Sequence, residues 1–330
     1  MKKHRCLRQS RFAPRLEELE SRLTPSLTVT QAGSALTIHA VGAAQLNSSH
    51  FAQVFDDGHG DITVVADGVT TNFTGINSIS LKGGNFVDVM AYTLTGNLKQ
   101  TQSLAVKLNG RDRFNAILLG TIGDAKTSTN GTLNIQVNDS PGNDVVGLSV
   151  LGAVLKGSTL NYANDFGVGG GIANSVGVVD VHGDIAGTAN FDFTTGQSAT
   201  IPNKESLIFD QFSNISGTER IQAHGFTEAG GFINDTIRFG GQLTGFLGVR
   251  ELGTSNPVVR ATNHLFEQFN LQNGSTGKLS ASEDNVPGSL GTETLNVFKN
   301  GTVTASVLGL IEEAFGSTAT TNDPAEVHIF

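Results

Sequence analysis

The chain has 330 residues, 41 of them glycine and only 7 proline, and 38% are hydrophobic. A chain of this size hides roughly 75% of its unfolded surface, so it has material for a large core and is neither disordered nor collagen-like. A single cysteine, Cys6, excludes an intrachain disulfide framework and a cysteine zinc site, and no apolar run is long enough for a spanning helix.

The net charge of −9 is unevenly placed. Residues 1–25 carry seven Lys/Arg against Glu17, Glu18 and Glu20, a balance of +4, which leaves −13 on the rest. An acidic body repels phosphate backbones, so the folded part is not expected to bind nucleic acid. Within Arg11–Ser26 (RFAPRLEELESRLTPS), Leu16, Leu19 and Leu23 share one face of a short helix between Pro14 and Pro25. The basic part of a secretory signal is present and its apolar stretch is not.

LEELESRLTPS at Leu16–Ser26, after Arg-rich residues, resembles the N-terminal LEPR-XLL motif of planctomycete surface proteins. Ser21 stands where the commonest form has Pro. The match covers about a tenth of the chain. The resemblance implies export to the cell envelope or beyond and carries no activity with it. Residues 1–26 are therefore expected to be a targeting leader, and 27–330 the folded body, less regular from about 250.

From residue 27 onward the sequence shifts to short alternating segments bounded by Gly, Asn or Asp. Leu27–Thr30, Leu36–Val41, Ile62–Ala66 and Ile76–Lys82 read as strands, and Ala52–Phe55 forms a hairpin with Ile62–Ala66. Helical periodicity is weak and confined to His264–Phe269 and Val307–Phe315. The fold expected is all-β.

Self-similarity is the stronger signal. Ile79–Gly96, Val106–Gly123 and Ile135–Gly152 align without gaps, superposing Leu81, Leu108 and Val137, then Asp88, Asn115 and Asp144, then Gly96, Gly123 and Gly152. The steps are 27 and 29 residues. A distant copy at Gly230–Gly245 carries Asp235, and Val176–Gly187 reads as a slipped one. Units this short cannot bury their own apolar face and must stack, which predicts a parallel β-helix (β-solenoid) of 27–29-residue coils; the alternative is a pair of β-sandwiches.

GGNFVDVMA at Gly83–Ala91 resembles the calcium-binding nonapeptide of repeats-in-toxin proteins, with Phe86 in place of the third Gly. DSPGNDVVG at Asp139–Gly147 keeps half of it. That resemblance makes Asp88 and Asp144 calcium candidates, and a column Asp88–Asn115–Asp144 is expected along one corner. FDDGHGD supplies a second acidic group, Asp56, Asp57 and Asp61, suited to turn chemistry, to a hard cation or to a carboxylate pair for glycoside cleavage. Its DD and HG pieces resemble those of polygalacturonases, whose further motifs are missing here.

No H-E-x-x-H, G-x-S-x-G or phosphate-loop motif occurs, and the eight histidines lack metal-type spacing. GVGGGIANS at Gly167–Ser175 lacks the last Gly of a dinucleotide fingerprint. No cofactor is expected unless calcium binds. The leading expectation is a non-catalytic exported β-repeat protein of the cell surface or matrix, meeting an envelope component such as polysaccharide. The alternatives are a β-helix carbohydrate-active enzyme and a calcium-dependent adhesion module.

Overall fold

The computed structural model of the chain describes residues 26–41, 49–84, 87–139, 143–166, 175–195, 205–224, 232–252, 264–284, 292–312 and 325–329. The leader (1–25) and most of Gly167–Ser175 lie outside them. Alternating apolar and polar residues give strands that are buried on one side only, as in Thr159–Phe166, where inward Leu160, Tyr162, Asn164 and Phe166 alternate with half-buried neighbours. Among the described residues such strands fill two sheets, one of 11 and one of 12 strands, and from Ser78–Lys82 onward successive strands alternate between the sheets. Pairing within each sheet is parallel except at the N-terminal end. The molecule is a β-solenoid, and the sandwich alternative, which needs antiparallel sheets, does not hold.

Each coil sends one strand to the first sheet and one to the second. A third contact line runs through Leu98, Ile122, Val154, Ile185, Ile215 and Leu243, joined by isolated parallel bridges and buried throughout. The interior between the sheets is mostly apolar. Tyr162, Phe191, Phe193 and Phe209 form an aromatic cluster in it, with the Phe191 and Phe209 rings edge-on at 4.9 Å.

Antiparallel hairpins stand at the N-terminal edge of both sheets. Ser26–Ala32 pairs with Ala35–Val41, and Phe51–Asp56, Ile62–Ala66 and Val69–Phe73 form a meander. The Asp67–Gly68 turn between the last two strands has φ of 46° and 82°, the left-handed geometry of a tight hairpin. The edge strand Val69–Phe73 is short and its outer residues are exposed, a form that discourages pairing with another chain.

The register corrects the repeat alignment. Leu81 pairs with Val106, and Val106 with Val137, so Leu81 and Val137 do share a column, but Leu108 lies two residues past it. Asp88 and Asp144 are also in register, through Asp112, because Val89 pairs with Arg113 and Arg113 with Val145. Asn115 instead pairs with Ala91 and Gly147, facing outward from the second sheet. Asp235 pairs with Leu207 and Leu265, outside the Asp88 column. The two segments expected to lean helical are strands, His264–Leu271 and Ser306–Glu312, with 313–315 outside the described residues.

Two glycine columns mark where coils come closest. A Cβ on Gly120, Gly152 or Gly183 would run into the carbonyl of Gly96, Gly120 or Gly152 respectively. The same relation links Gly187, Gly217, Gly245 and Gly277. Backbone approaches backbone here with no room for any side chain.

Leu108 is fully buried even though it leaves the Leu81 column. Leu108→Ala is therefore expected to lower unfolding stability by about 2–5 kcal/mol in denaturant titration. A loss below about 0.5 kcal/mol, the scale of a surface change, would contradict its inward placement.

Candidate functional site

The corner that carries the chain from the first sheet to the second is the most densely acidic part of the described interior. Asp88, Asp112 and Asp144 each immediately precede a strand of the second sheet, as do His50 and Ser175 in the coils on either side. At this position the backbone is leaving a turn, and its N–H points along the solenoid axis rather than into a ladder bond. The next coil supplies the acceptor. The N–H of His50 donates to Asp88 Oδ1 (2.9 Å), that of Asp88 to Asp112 Oδ1 (2.9 Å), that of Asp112 to Asp144 Oδ1, and that of Asp144 to Ser175 Oγ (3.3 Å).

The second oxygens brace the turns. Gly84 N–H donates to Asp88 Oδ2 (2.6 Å) and Asn109 N–H to Asp112 Oδ2 (2.8 Å). A Cβ on Gly83 would collide with Asp112 Oδ2, so the first glycine of the GGNFVDVMA phrase makes room for a carboxylate. Both oxygens of Asp88 and of Asp112 thus face N–H donors. A calcium cage needs six to eight oxygens converging on one point with no donor hydrogens aimed at them. Among the described residues no group of three or more His, Cys, Asp or Glu has metal-holding geometry. The corner fits a column of backbone-capping acids.

Two of these acids, Asp112 and Asp144, are costly to ionise. Burial pushes the Asp112 carboxyl up to about 7; the Asn109 and Asp88 N–H bonds oppose the shift, and the Asp88 and Asp144 charges add to it. Burial also raises Asp144.

The FDDGHGD group lies at the far end of the same strands, about 20 Å along Phe51–Asp56 from the His50 corner. Asp56 is buried, with Oδ2 accepting the Tyr92 hydroxyl (2.7 Å) and Oδ1 the Gly58 N–H (2.8 Å). Burial raises its pKa against those two bonds, and burial followed by the Asp56 charge raises that of Tyr92. Asp57 Oδ1 accepts the N–H groups of His59 and Asp61 (2.7 and 3.0 Å), and Asp61 is exposed. Tyr92 and the hairpin backbone occupy Asp56 and one oxygen of Asp57, and among the described residues no metal-holding group forms here.

Sequence reasoning missed Asp112 because a gapless alignment spreads length changes evenly, whereas the true steps at this column are 24 and 32 residues. The readable signal was an Asp directly before each six-residue strand: Asp88–Val89, Asp112–Arg113 and Asp144–Val145.

Two outer faces were also missed. On the first sheet Thr101, Thr132, Thr159, Thr188 and Thr218 stand in one column. Beside them Asn190 Nδ2 donates to Asn161 Oδ1 and Asn161 Nδ2 to Asn134 Oδ1, both at 2.8 Å. The repeated T-x-N of Thr132–Asn134, Thr159–Asn161 and Thr188–Asn190 announces this ladder in the sequence. Immediately after strands of the second sheet stand Leu119, Leu151 and Phe212, each about half exposed, with His182 stacked on Phe212 at 6.0 Å.

No family model, curated protein or solved structure matches the chain.

A last acid sits apart. Glu219 points into the core between Ala189 and Leu247 and is fully buried, with neither carboxyl oxygen bonded. Burial alone lifts it to about 8. The folded state then holds a proton that the unfolded state releases near its ordinary value of about 4.3, so stability falls as pH rises from there to about 8. Glu219→Met is expected to remove that slope and to gain about 1–3 kcal/mol at neutral pH. Denaturation series at several pH values check both; an unchanged slope would contradict the assignment.

Calorimetric titration of the folded protein with calcium is expected to give no submillimolar binding. Such binding, abolished by Asp88→Asn combined with Asp144→Asn, would overturn the capping role of the corner.

Proposed function

We propose that the chain is a non-catalytic, exported β-solenoid working at the cell surface or in the surrounding matrix, where its outer faces meet envelope material such as polysaccharide. One observation carries the non-catalytic part. The carboxylates that suggested chemistry, Asp88, Asp144, Asp56 and Asp57, accept hydrogen bonds from their own turns or from the neighbouring coil. Continuous surfaces remain for the molecule to act through: a Thr/Asn ladder on one side, a partly apolar strip on the other. Such surfaces suit adhesion and packing, in which many weak contacts repeat at the coil spacing of about 4.8 Å.

Export is supported by the resemblance of Leu16–Ser26 to the planctomycete surface-protein motif and by the basic residues before it. The test is fractionation of cells producing the full chain or a form lacking residues 1–25, both tagged at the C-terminus. The full chain is expected in the envelope or medium and the shortened form inside the cell. Equal retention of both in the cytoplasm would overturn export.

A further inference from the structure

The corner that carries the chain from the first sheet to the second keeps acids inside and bases outside. Lys82 and Lys107 end the strands Ser78–Lys82 and Thr101–Lys107. They pair directly, so they stand one coil apart, about 4.8 Å, on the outer face. Alternation continues around the turn. Arg111 is exposed, Asp112 is buried, and Arg113, which opens Arg113–Leu118, is exposed again.

Among the described residues none of these four cations forms a salt bridge, although the chain outside the leader carries −13. The segments 42–48, 85–86 and 140–142, which belong to the same set of turns, contain no Asp or Glu. Beneath the strip, Asp88 and Asp112 are buried and their carboxyls accept N–H groups. At its margins the acids are also engaged. Asp67 takes His50 Nδ1 (2.7 Å) and the Phe51 N–H (3.0 Å). Asp165, two coils past Lys107 through Asn138, accepts from Gln136 Nε2 (2.8 Å). The strip is thus a local concentration of uncompensated positive charge on an acidic body.

Hydrocarbon lies beside it. Phe51 and Val145, each 42% exposed, stand in the Arg113 column, Val145 directly and Phe51 through Val89. A duplex or an anionic bilayer is broad and would bring its charge against the acidic remainder of the body. A single glycan chain is narrow enough to follow the strip, and its rings offer C–H faces as well as charge.

We infer that this corner binds an acidic polysaccharide, with carboxylates against Lys82, Lys107, Arg111 and Arg113 and sugar C–H faces against Phe51 and Val145. The inference rests on the surface location proposed above and narrows the polysaccharide named there to an acidic one. A sugar in an extended glycan is about as long as the coil spacing of about 4.8 Å, so successive uronates fall near successive coils. The arginines take a carboxylate through two parallel N–H bonds, and the lysines attract it as point charges.

The test is binding of the full chain to polygalacturonate, with dextran as the neutral glycan. Binding to polygalacturonate alone is expected, weakening as salt rises. Lys82→Gln with Lys107→Gln, and Arg111→Gln with Arg113→Gln, are each expected to weaken it roughly tenfold, and all four together roughly a hundredfold, the scale of exposed charge pairs. Arg220→Gln with Lys278→Gln removes the same charge from the surroundings of Phe246 and is expected to leave binding unchanged. The leader is common to every variant, so its own attraction cancels. Because the two pairs lie on different strands, failure of one variant to fold leaves the other decisive. No binding by the native chain, unchanged binding in the fourfold variant, or an equal loss in the Arg220 and Lys278 control would overturn the inference. So would tighter binding to duplex DNA or to phosphatidylglycerol vesicles that the fourfold variant loses, which would make the corner a phosphate surface. The assay uses purified protein, so its failure strikes the ligand and leaves the location to the fractionation experiment.

Discussion

A solenoid made of two parallel sheets satisfies its backbone wherever the chain is in a strand, and at its turns some N–H groups are left to find acceptors elsewhere. Buried N–H groups without acceptors are hardly tolerated in native proteins, so each corner needs a built-in solution. This fold uses side chains to join coils. At the corner entering the second sheet, an acid or serine of the later coil accepts the N–H of the earlier one. At the opposite corner the relation reverses: Asp184 accepts from Asn214 N–H, and Asn214 Oδ1 from Gln242 N–H, both at 3.0 Å. Coils are thus tied on both sides in opposite directions, and much of the acidic character of the chain is fold chemistry.

Because those acids lie inside, their electrostatics belong to the core. Asp112, Asp144, Asp56 and Glu219 are all raised by burial, whereas Asp124 falls to about 2 through Lys99, which reaches it at 2.6 Å, and the Lys126 N–H. The contrast shows what decides the state of a carboxyl in this molecule. The Lys99 ammonium favours the ionised form of Asp124, whereas burial favours the protonated form of Asp112, Asp144, Asp56 and Glu219.

The fold was legible because two-residue alternation and Gly/Asn/Asp boundaries survive in almost every coil, and because stacking is the only way for such short units to bury an apolar face. Register was less legible. Strand lengths hardly vary, but the corners between them do, so an alignment that forbids gaps put Asn115 where Asp112 belongs while placing Asp88 and Asp144 correctly. Gly83, the first glycine of the pair Gly83–Gly84, leaves room for the Asp112 carboxylate of the next coil, a long-range packing fact that no local pattern encodes. His264–Phe269 and Val307–Phe315 hold enough Leu, Phe and Glu to mimic helix, and partner strands, on both sides of His264–Leu271 and on one side of Ser306–Glu312, override that weak preference. Glu219 was invisible, since its neighbours Thr218 and Arg220 look like any exposed strand.

The glycine columns have a mechanical consequence. With backbone against backbone along Gly187, Gly217, Gly245 and Gly277, and every ladder bond parallel to the solenoid axis, tension applied between the two ends loads the coils in zipper fashion. The outermost coil peels bond by bond while those behind it keep their packing. Each coil released, such as the 31 residues from Asp144 to Ser175, lengthens the tether by about 100 Å at full extension. A solenoid of this design yields in many small steps, and so absorbs strain without losing its fold all at once.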